Sequence, residues 1–211
     1  EKGLALDFKA SFHKNDWLIS ASPYLYYFSN YIFLKPSGQF SILPHGGQIY
    51  EYTQSKALLT GFEIEVRKKI NENFDANVIY EYLYNRQIQD NNKFGYYLPF
   101  TPANNLFGQV NYNIKKSAGI FENFNFFVNG KYTFEQDKIA LNEDITPSYF
   151  LVGLGGKTTV KINNFTANLS VQVSNLFNEN YFNHTSFYRA LQLPEQARNI
   201  QVMLGIPFGK K

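Results

Sequence analysis

The sequence has no cysteine, one methionine and one tryptophan, so it offers neither a disulfide framework nor a thiolate site. Charge of one sign is not in excess either. Lys plus Arg number 20 against 17 Asp plus Glu, and the basic pairs Lys68-Lys69, Lys115-Lys116 and Lys210-Lys211 lie far apart. Balanced, scattered charge gives no electrostatic footprint for nucleic acid, which is not expected as a partner. The chain opens at Glu1 without a basic-then-apolar leader, and it reads as a piece of a longer protein whose targeting segment lies outside it. One charge-free stretch, residues 17–34, has the length of a transmembrane helix, but Ser20, Ser22, Pro23, Ser29 and Asn30 interrupt it at strand-like spacing. That alternation argues against a spanning helix.

What the sequence does have is 21 Phe, 16 Tyr and a period of two. The clearest case is residues 165–173, where Phe165, Ala167, Leu169, Val171 and Val173 alternate with Thr166, Asn168, Ser170 and Gln172. A period of two belongs to a β-strand with one apolar and one polar face. The same pattern recurs over residues 4–12, 17–27, 58–66, 74–84, 106–114, 124–134, 150–160 and 200–208, which predicts about nine antiparallel strands. Short polar turns at 14–16, 71–73, 115–123 and 163–164 alternate with long loops at about 33–48, 86–104, 135–146 and 176–197.

Alternation alone fits a soluble β-sandwich binding module as well as a membrane barrel. Three features favour the barrel. The apolar phase of these segments carries no charged residue, although 18% of the chain is charged; charge is costly on a lipid-facing wall. Each strand leaving a short turn opens that phase with an aromatic ring, namely Trp17, Phe74, Phe124 and Phe165, which forms a girdle of the kind found at a membrane interface. Short turns on one side and long loops on the other match periplasmic turns and extracellular loops. The expected fold is an all-β, antiparallel, up-and-down transmembrane β-barrel.

Local motifs add a resemblance. Asn175-Leu176-Phe177-Asn178-Glu179-Asn180-Tyr181 resembles the N-L-F-D/N-x-x-Y segment of TonB-dependent outer-membrane receptors. Pro194-Glu195-Gln196-Ala197-Arg198-Asn199-Ile200 resembles that family's P-x-x-G-R-x-apolar approach to the last strand, with Ala197 in place of the usual Gly, and Gly61-Phe62-Glu63-Ile64-Glu65 its G-x-E-x-E strand. A further departure is Gly209-Lys210-Lys211 beyond Phe208, where members often end on an aromatic. The resemblance implies that residues 1–211 are the C-terminal portion of a barrel of about 22 strands, with the N-terminal plug domain not included. It implies a Gram-negative outer-membrane location, outer-membrane lipid around the wall, and the protein's own plug inside. A TonB-type energy-transducing protein would act through the missing N-terminal part. The ligand would be a scarce one, an iron-siderophore or other metal chelate first, with a cobalamin, a free-metal carrier or an oligosaccharide left open.

The resemblance makes Glu63 and Glu65, on the polar phase, the plug-contacting residues; solvated wall charges are the competing reading. The loop residues His45, Tyr97, Phe187, Tyr188 and Arg189 combine rings and a cation suited to stacking on an aromatic chelate and attracting its negative charge. His13, His45 and His184 lie on different segments without a Ser or an acidic pair at motif spacing. No catalytic residue, resident metal site or cofactor is expected. A porin and a barrel enzyme are the alternative outer-membrane readings.

Overall fold

The computed structural model describes residues 1–43, 46–89, 93–163 and 165–207. Strands β1 (Gly3–Asp7), β2 (Ala10–Lys14), β3 (Trp17–Phe40), β4 (Gln48–Lys69), β5 (Phe74–Ile88) and β6 (Phe94–Tyr97) form its first half. Then come β7 (Asn105–Ala118), β8 (Phe121–Thr133), β9 (Tyr149–Ile162), β10 (Phe165–Ser174) and β11 (Asn199–Gly205). All belong to one antiparallel sheet in the order β1-β3-β4-β5-β7-β8-β9-β10-β11, with β2 also on β3 and β6 on β5. This is an up-and-down meander. Strands β1 and β11 are its edges, and among the described residues they are not paired with each other. No described helix is long and apolar enough to cross a membrane.

The nine expected strands are the nine members of this meander, with differences of detail; the expected turn at 115–123 tightens to residues 119–120, because β7 and β8 pair up to Ala118 and Phe121, and three others are larger. Residues 4–12 are split into β1 and β2 because their partner at the break is Pro23. Phe8 N–H donates to Pro23 O at 3.1 Å, but proline has no N–H to return. The expected loop at 33–48 shrinks to residues 41–47, since β3 and β4 run on as a hairpin tied by Lys35 and Glu51, 3.1 Å apart. A register shift between Pro36 and Phe40 absorbs the proline. Within the expected loop at 86–104, β6 turns back along β5, where the Arg86 guanidinium donates to Gly95 O.

Faces follow the alternation. Register places Trp17, Ile19, Pro23 and Leu25 beside Lys68, Val66, Phe62 and Thr60, and Val171 between Gly156 and Val202. This phase is open on the outside: Val171, Ile200 and Val202 are 42%, 65% and 67% exposed. Only five described hydrophobic residues are buried, Phe33, Ala57, Leu98, Ala140 and Ala167. A soluble domain of this length buries far more apolar surface than that, so the sandwich is excluded. A wall that exposes its apolar face to lipid needs no such core.

On the opposite, lumenal face the side chains are polar and interlinked. Asp75 accepts from Asn111 Nδ2 at 2.7 Å and Asn113 Nδ2 at 2.8 Å, and Asn113 Oδ1 accepts from Asn125 Nδ2 at 2.8 Å. This ladder of carboxamides ties β5, β7 and β8 near the short turns. Toward the long loops the lumenal face turns apolar, with Phe33, Ala57 and Leu98 packed against Phe28, Tyr31 and Leu59.

Candidate functional site

Two regions carry chemistry, the acidic stretch of the lumenal wall and the layer of folded loops above it. On the wall, Glu63 stands directly between Ser22 of β3 and Glu81 of β5. Glu81 accepts from Asn105 Nδ2 at 2.6 Å, and Glu65 accepts from Arg67 Nε at 2.5 Å. Glu63 has no hydrogen bond or ion pair among the described residues. Two carboxylates directly across a strand pair destabilise the sheet unless a cation joins them. The wall therefore presents negative charge inward at this height, and Glu81, which the sequence pattern left among ordinary polar positions, is its third member.

The loop layer is built around Glu143. Its Oε1 accepts from Phe100 N–H and its Oε2 from Ala140 N–H, both at 2.9 Å. His184 Nε2 lies 3.5 Å and Arg189 Nη2 3.8 Å from Oε1. At 3.5 Å the imidazole contact is long for a hydrogen bond, so its pull on the carboxylate is chiefly electrostatic. The side chains of Glu143 and His184 are 2% and 1% exposed. Burial alone would push the Glu143 carboxyl upward, but His184 and the two backbone N–H donors outweigh it and hold the group below its ordinary value. His184 Nδ1 lies 2.8 Å from Thr146 Oγ1, and Arg189 Nη1 donates to Asp144 O at 2.6 Å. One buried carboxylate thus joins three loops.

Apolar and amide contacts complete the layer. Phe187 packs on Phe100 with ring centres 4.6 Å apart and edge-on to Tyr50 at 5.3 Å. Gln136 Nε2 donates to Thr101 O at 2.7 Å. Asn142, at φ 64°, donates to Pro36 O at 3.4 Å and accepts at its carbonyl from Gln48 Nε2 at 3.2 Å, which fastens the long hairpin to the layer. Asn175 and Asn178 take φ of 50° and 58°, a conformation that asparagine tolerates better than most residues. Asn175 Oδ1 accepts from Glu179 N–H at 2.7 Å, its Nδ2 donates to Glu179 O at 2.8 Å, and Asn178 Oδ1 accepts from Arg198 N–H at 3.1 Å. The asparagine motif is a clasp between the end of β10 and the approach to β11.

The residues singled out from the sequence are distributed unevenly over these regions. Arg189 lies inside the loop layer with its side chain 13% exposed, while Phe187 packs on the layer half-exposed and Tyr188 beside it is 65% exposed. Tyr97 is elsewhere, under the Arg86 guanidinium at 4.3 Å and edge-on to Tyr84 at 5.9 Å. His45 falls outside the described residues. Tyr50 lies on the strand periodicity that continues above Leu58, whereas Glu143, Phe100 and Gln136 have no periodic signature, and nothing in their spacing marks them out.

An open antiparallel wall with a lipid-facing apolar surface, an acidic polar lumen and long folded loops at one end defines an outer-membrane β-barrel of the receptor type. The sequence matches the family described as TonB dependent receptor-like, beta-barrel, over residues 1–176. The chain belongs to that family, and it is a Gram-negative outer-membrane protein. Among solved structures, 32 chains match. One is described as "Copper transporter OprC", similar at a TM-score of 0.75 and 17% identity over 97% of this chain, a likeness of fold. This chain spans 31% of the length of that structure. No curated protein matches.

Proposed function

We propose that residues 1–211 form the closing wall of a TonB-dependent receptor that takes up a scarce ligand, most consistently an iron-siderophore or other metal chelate. The observation that carries this reading is the loop layer. Its rings, its cation and the exposed Tyr188 lie at the long-loop end, above a lumen lined by Glu63, Glu65 and Glu81. Exposed rings stack on planar chelates.

In this reading a plug domain encoded upstream fills the lumen and supplies cations to the Glu63–Glu81 pair and to Glu65. A TonB-type partner pulls on the plug from the periplasm. Tyr188, Phe187, Arg189, Tyr97 and His45 are the proposed ligand-side residues, with Tyr188 the most accessible of those described. Phe187 and Arg189 act mainly by shaping the loop layer that presents it. The unpaired edges at β1 and β11 support a larger barrel completed by upstream strands.

The test is growth and uptake by cells carrying the full-length receptor, supplied with a panel of metal chelates as sole source of the metal. Energy-dependent uptake of a chelate, lost without the TonB-type partner, is expected. Passive, partner-independent permeation of unrelated small solutes would instead establish a porin.

A further inference from the structure

Under the loop layer the lumenal wall holds a partly enclosed polar cavity of about 210 Å³, which neither the Glu143 cluster nor the pairing of Glu63 with Glu81 accounts for. Its floor is one register row. Glu81 of β5 stands beside Asn105 of β7, Asn105 beside Thr133 of β8, and Thr133 beside Tyr149 of β9. Lys131, two residues before Thr133 and so on the same face, closes one side, and Thr146, His184 and Thr185 form the roof. The roof hangs from the loop layer. His184 contacts Glu143, whose second cation is Arg189, so one carboxylate ties the cavity to the turn that presents the exposed Tyr188 ring.

The cavity carries opposite charges that do not meet. Two strands across and two residues along put the Cα atoms of Glu81 and Lys131 roughly 12 Å apart, and among the described residues no ion pair joins them. Asn105 Nδ2 donates to Glu81 Oε2 at 2.6 Å, while Lys131 has no carboxylate within ion-pair distance among the described residues. Their side chains reach toward each other over most of that gap and leave room between the two charges. A neutral polyol would satisfy the amides and hydroxyls but neither charge. A purely anionic group would face Glu81, with Glu63 next to it on β4, and a purely cationic one would face Lys131; like charge so placed is strongly disfavoured. A group that carries both signs answers both residues. The size fits a part of a ligand, since whole drug-sized molecules occupy sites of roughly 300–1,000 Å³.

We propose that this cavity receives an α-amino-carboxylate end of the ligand, with its ammonium on Glu81 and its carboxylate on Lys131. The inference rests on the uptake reading above and narrows the ligand to a chelate with an amino-acid arm. Glu63 does not line the cavity, so a plug cation on Glu63 leaves the place beside Glu81 and Lys131 open to that arm.

The experiment uses the folded full-length receptor in nanodiscs and four free probes, with binding read by ligand-observed NMR. L-serine carries both charges, ethanolamine only the ammonium, N-acetyl-L-serine only the carboxylate, and glycerol neither. The native receptor is expected to bind L-serine at least tenfold more tightly than the other three. E81Q, which has the shape of the native side chain and still accepts from Asn105, is expected to weaken L-serine at least tenfold without weakening N-acetyl-L-serine, which has no ammonium to lose. K131M is expected to weaken L-serine likewise without weakening ethanolamine. K157M, at a lumenal lysine 5.9 Å over Phe127 and outside the cavity, is expected to keep the native preference. A native receptor without preference for L-serine, or variants that weaken every probe alike, overturns the proposal. Chelate uptake by the same receptor separates the two readings. Energy-dependent uptake without the L-serine preference overturns the cavity assignment alone, and the L-serine preference without uptake of any chelate overturns the uptake reading and keeps the cavity.

Discussion

Replacing Glu143 by Gln is the sharpest single perturbation of the loop layer, because the two side chains have the same shape and differ in charge and in one acceptor. In the native layer both carboxylate oxygens are used, Oε1 by Phe100 N–H and Oε2 by Ala140 N–H. An amide can keep only one of them. Its NH₂ would then face a backbone N–H, a donor against a donor, while Arg189, 3.8 Å from the lost charge, would lose its anionic partner. A hydrogen bond to a charged group contributes roughly 1.5–3 kcal/mol, and breaking one side of a buried pair costs about 3–5 kcal/mol. The two figures describe overlapping parts of one loss and do not add, so the middle of their joint span applies, roughly 2–4 kcal/mol.

That cost falls on local opening rather than on the barrel, because the strands keep their ladders. Hydrogen exchange of the full-length receptor at neutral pH is the assay. At about 1.4 kcal/mol per tenfold, peptides covering residues 98–104 and 134–148 are expected to exchange on the order of 30- to 700-fold faster in Glu143→Gln, with β8 and β9 unchanged. The pH dependence has a definite sign. The folded carboxyl is depressed below its ordinary value, so its stabilisation is full above the ordinary carboxylate range and is lost as pH falls through the depressed value. Native and variant layers should therefore converge only in acid. Equal loop protection at neutral pH would mean that Glu143 does not join these loops.

Three further outcomes follow from the wall. Leu169→Arg, on the lipid phase, is expected to cost roughly 2–4 kcal/mol near the bilayer midplane and to reduce the heat-modifiable, folded form on gels; Gln172→Arg, facing the lumen, is expected to leave it intact, and equal tolerance would mean the faces are reversed. Gly61→Ala would place a Cβ 2.3 Å from Tyr82 O, whereas at Gly108 nothing lies closer than 4.0 Å; the first should lower unfolding resistance by roughly 1–3 kcal/mol and the second should not, as read by denaturant titration of the refolded barrel. The 211 residues expressed alone behind a signal peptide are expected to aggregate, since unpaired edge groups at β1 and β11 have no partner in lipid; a stable inserted monomer would refute the larger-barrel reading.

The contrast between wall and loops explains what could be read from the chain beforehand. In the wall every residue's environment is set by parity: Leu169 faces lipid and Gln172 the lumen because each strand places successive side chains on opposite faces. A single apolar face in contact with lipid writes that parity into the sequence, which is why the spans, the faces and the aromatic girdle were legible down to Trp17 and Phe165. Strand ends were less so, because above the bilayer water solvates both faces, and β3 continues to Phe40 on the strength of cross-strand pairs such as Lys35 with Glu51. The loop layer follows no period at all. Glu143 matters through Phe100, Ala140, His184 and Arg189, partners between 3 and 46 positions away in sequence, and no local pattern specifies a meeting of three loops. The asparagine clasp lies between these extremes. Its left-handed backbone at Asn175 and Asn178 is a local demand that leaves a local trace, so the motif could be recognised from sequence while the role of its side chains, bonding Glu179 and Arg198, needed the fold. Parity reveals a wall, local conformation reveals a turn, and long-range polar contacts reveal themselves only once the chain is folded.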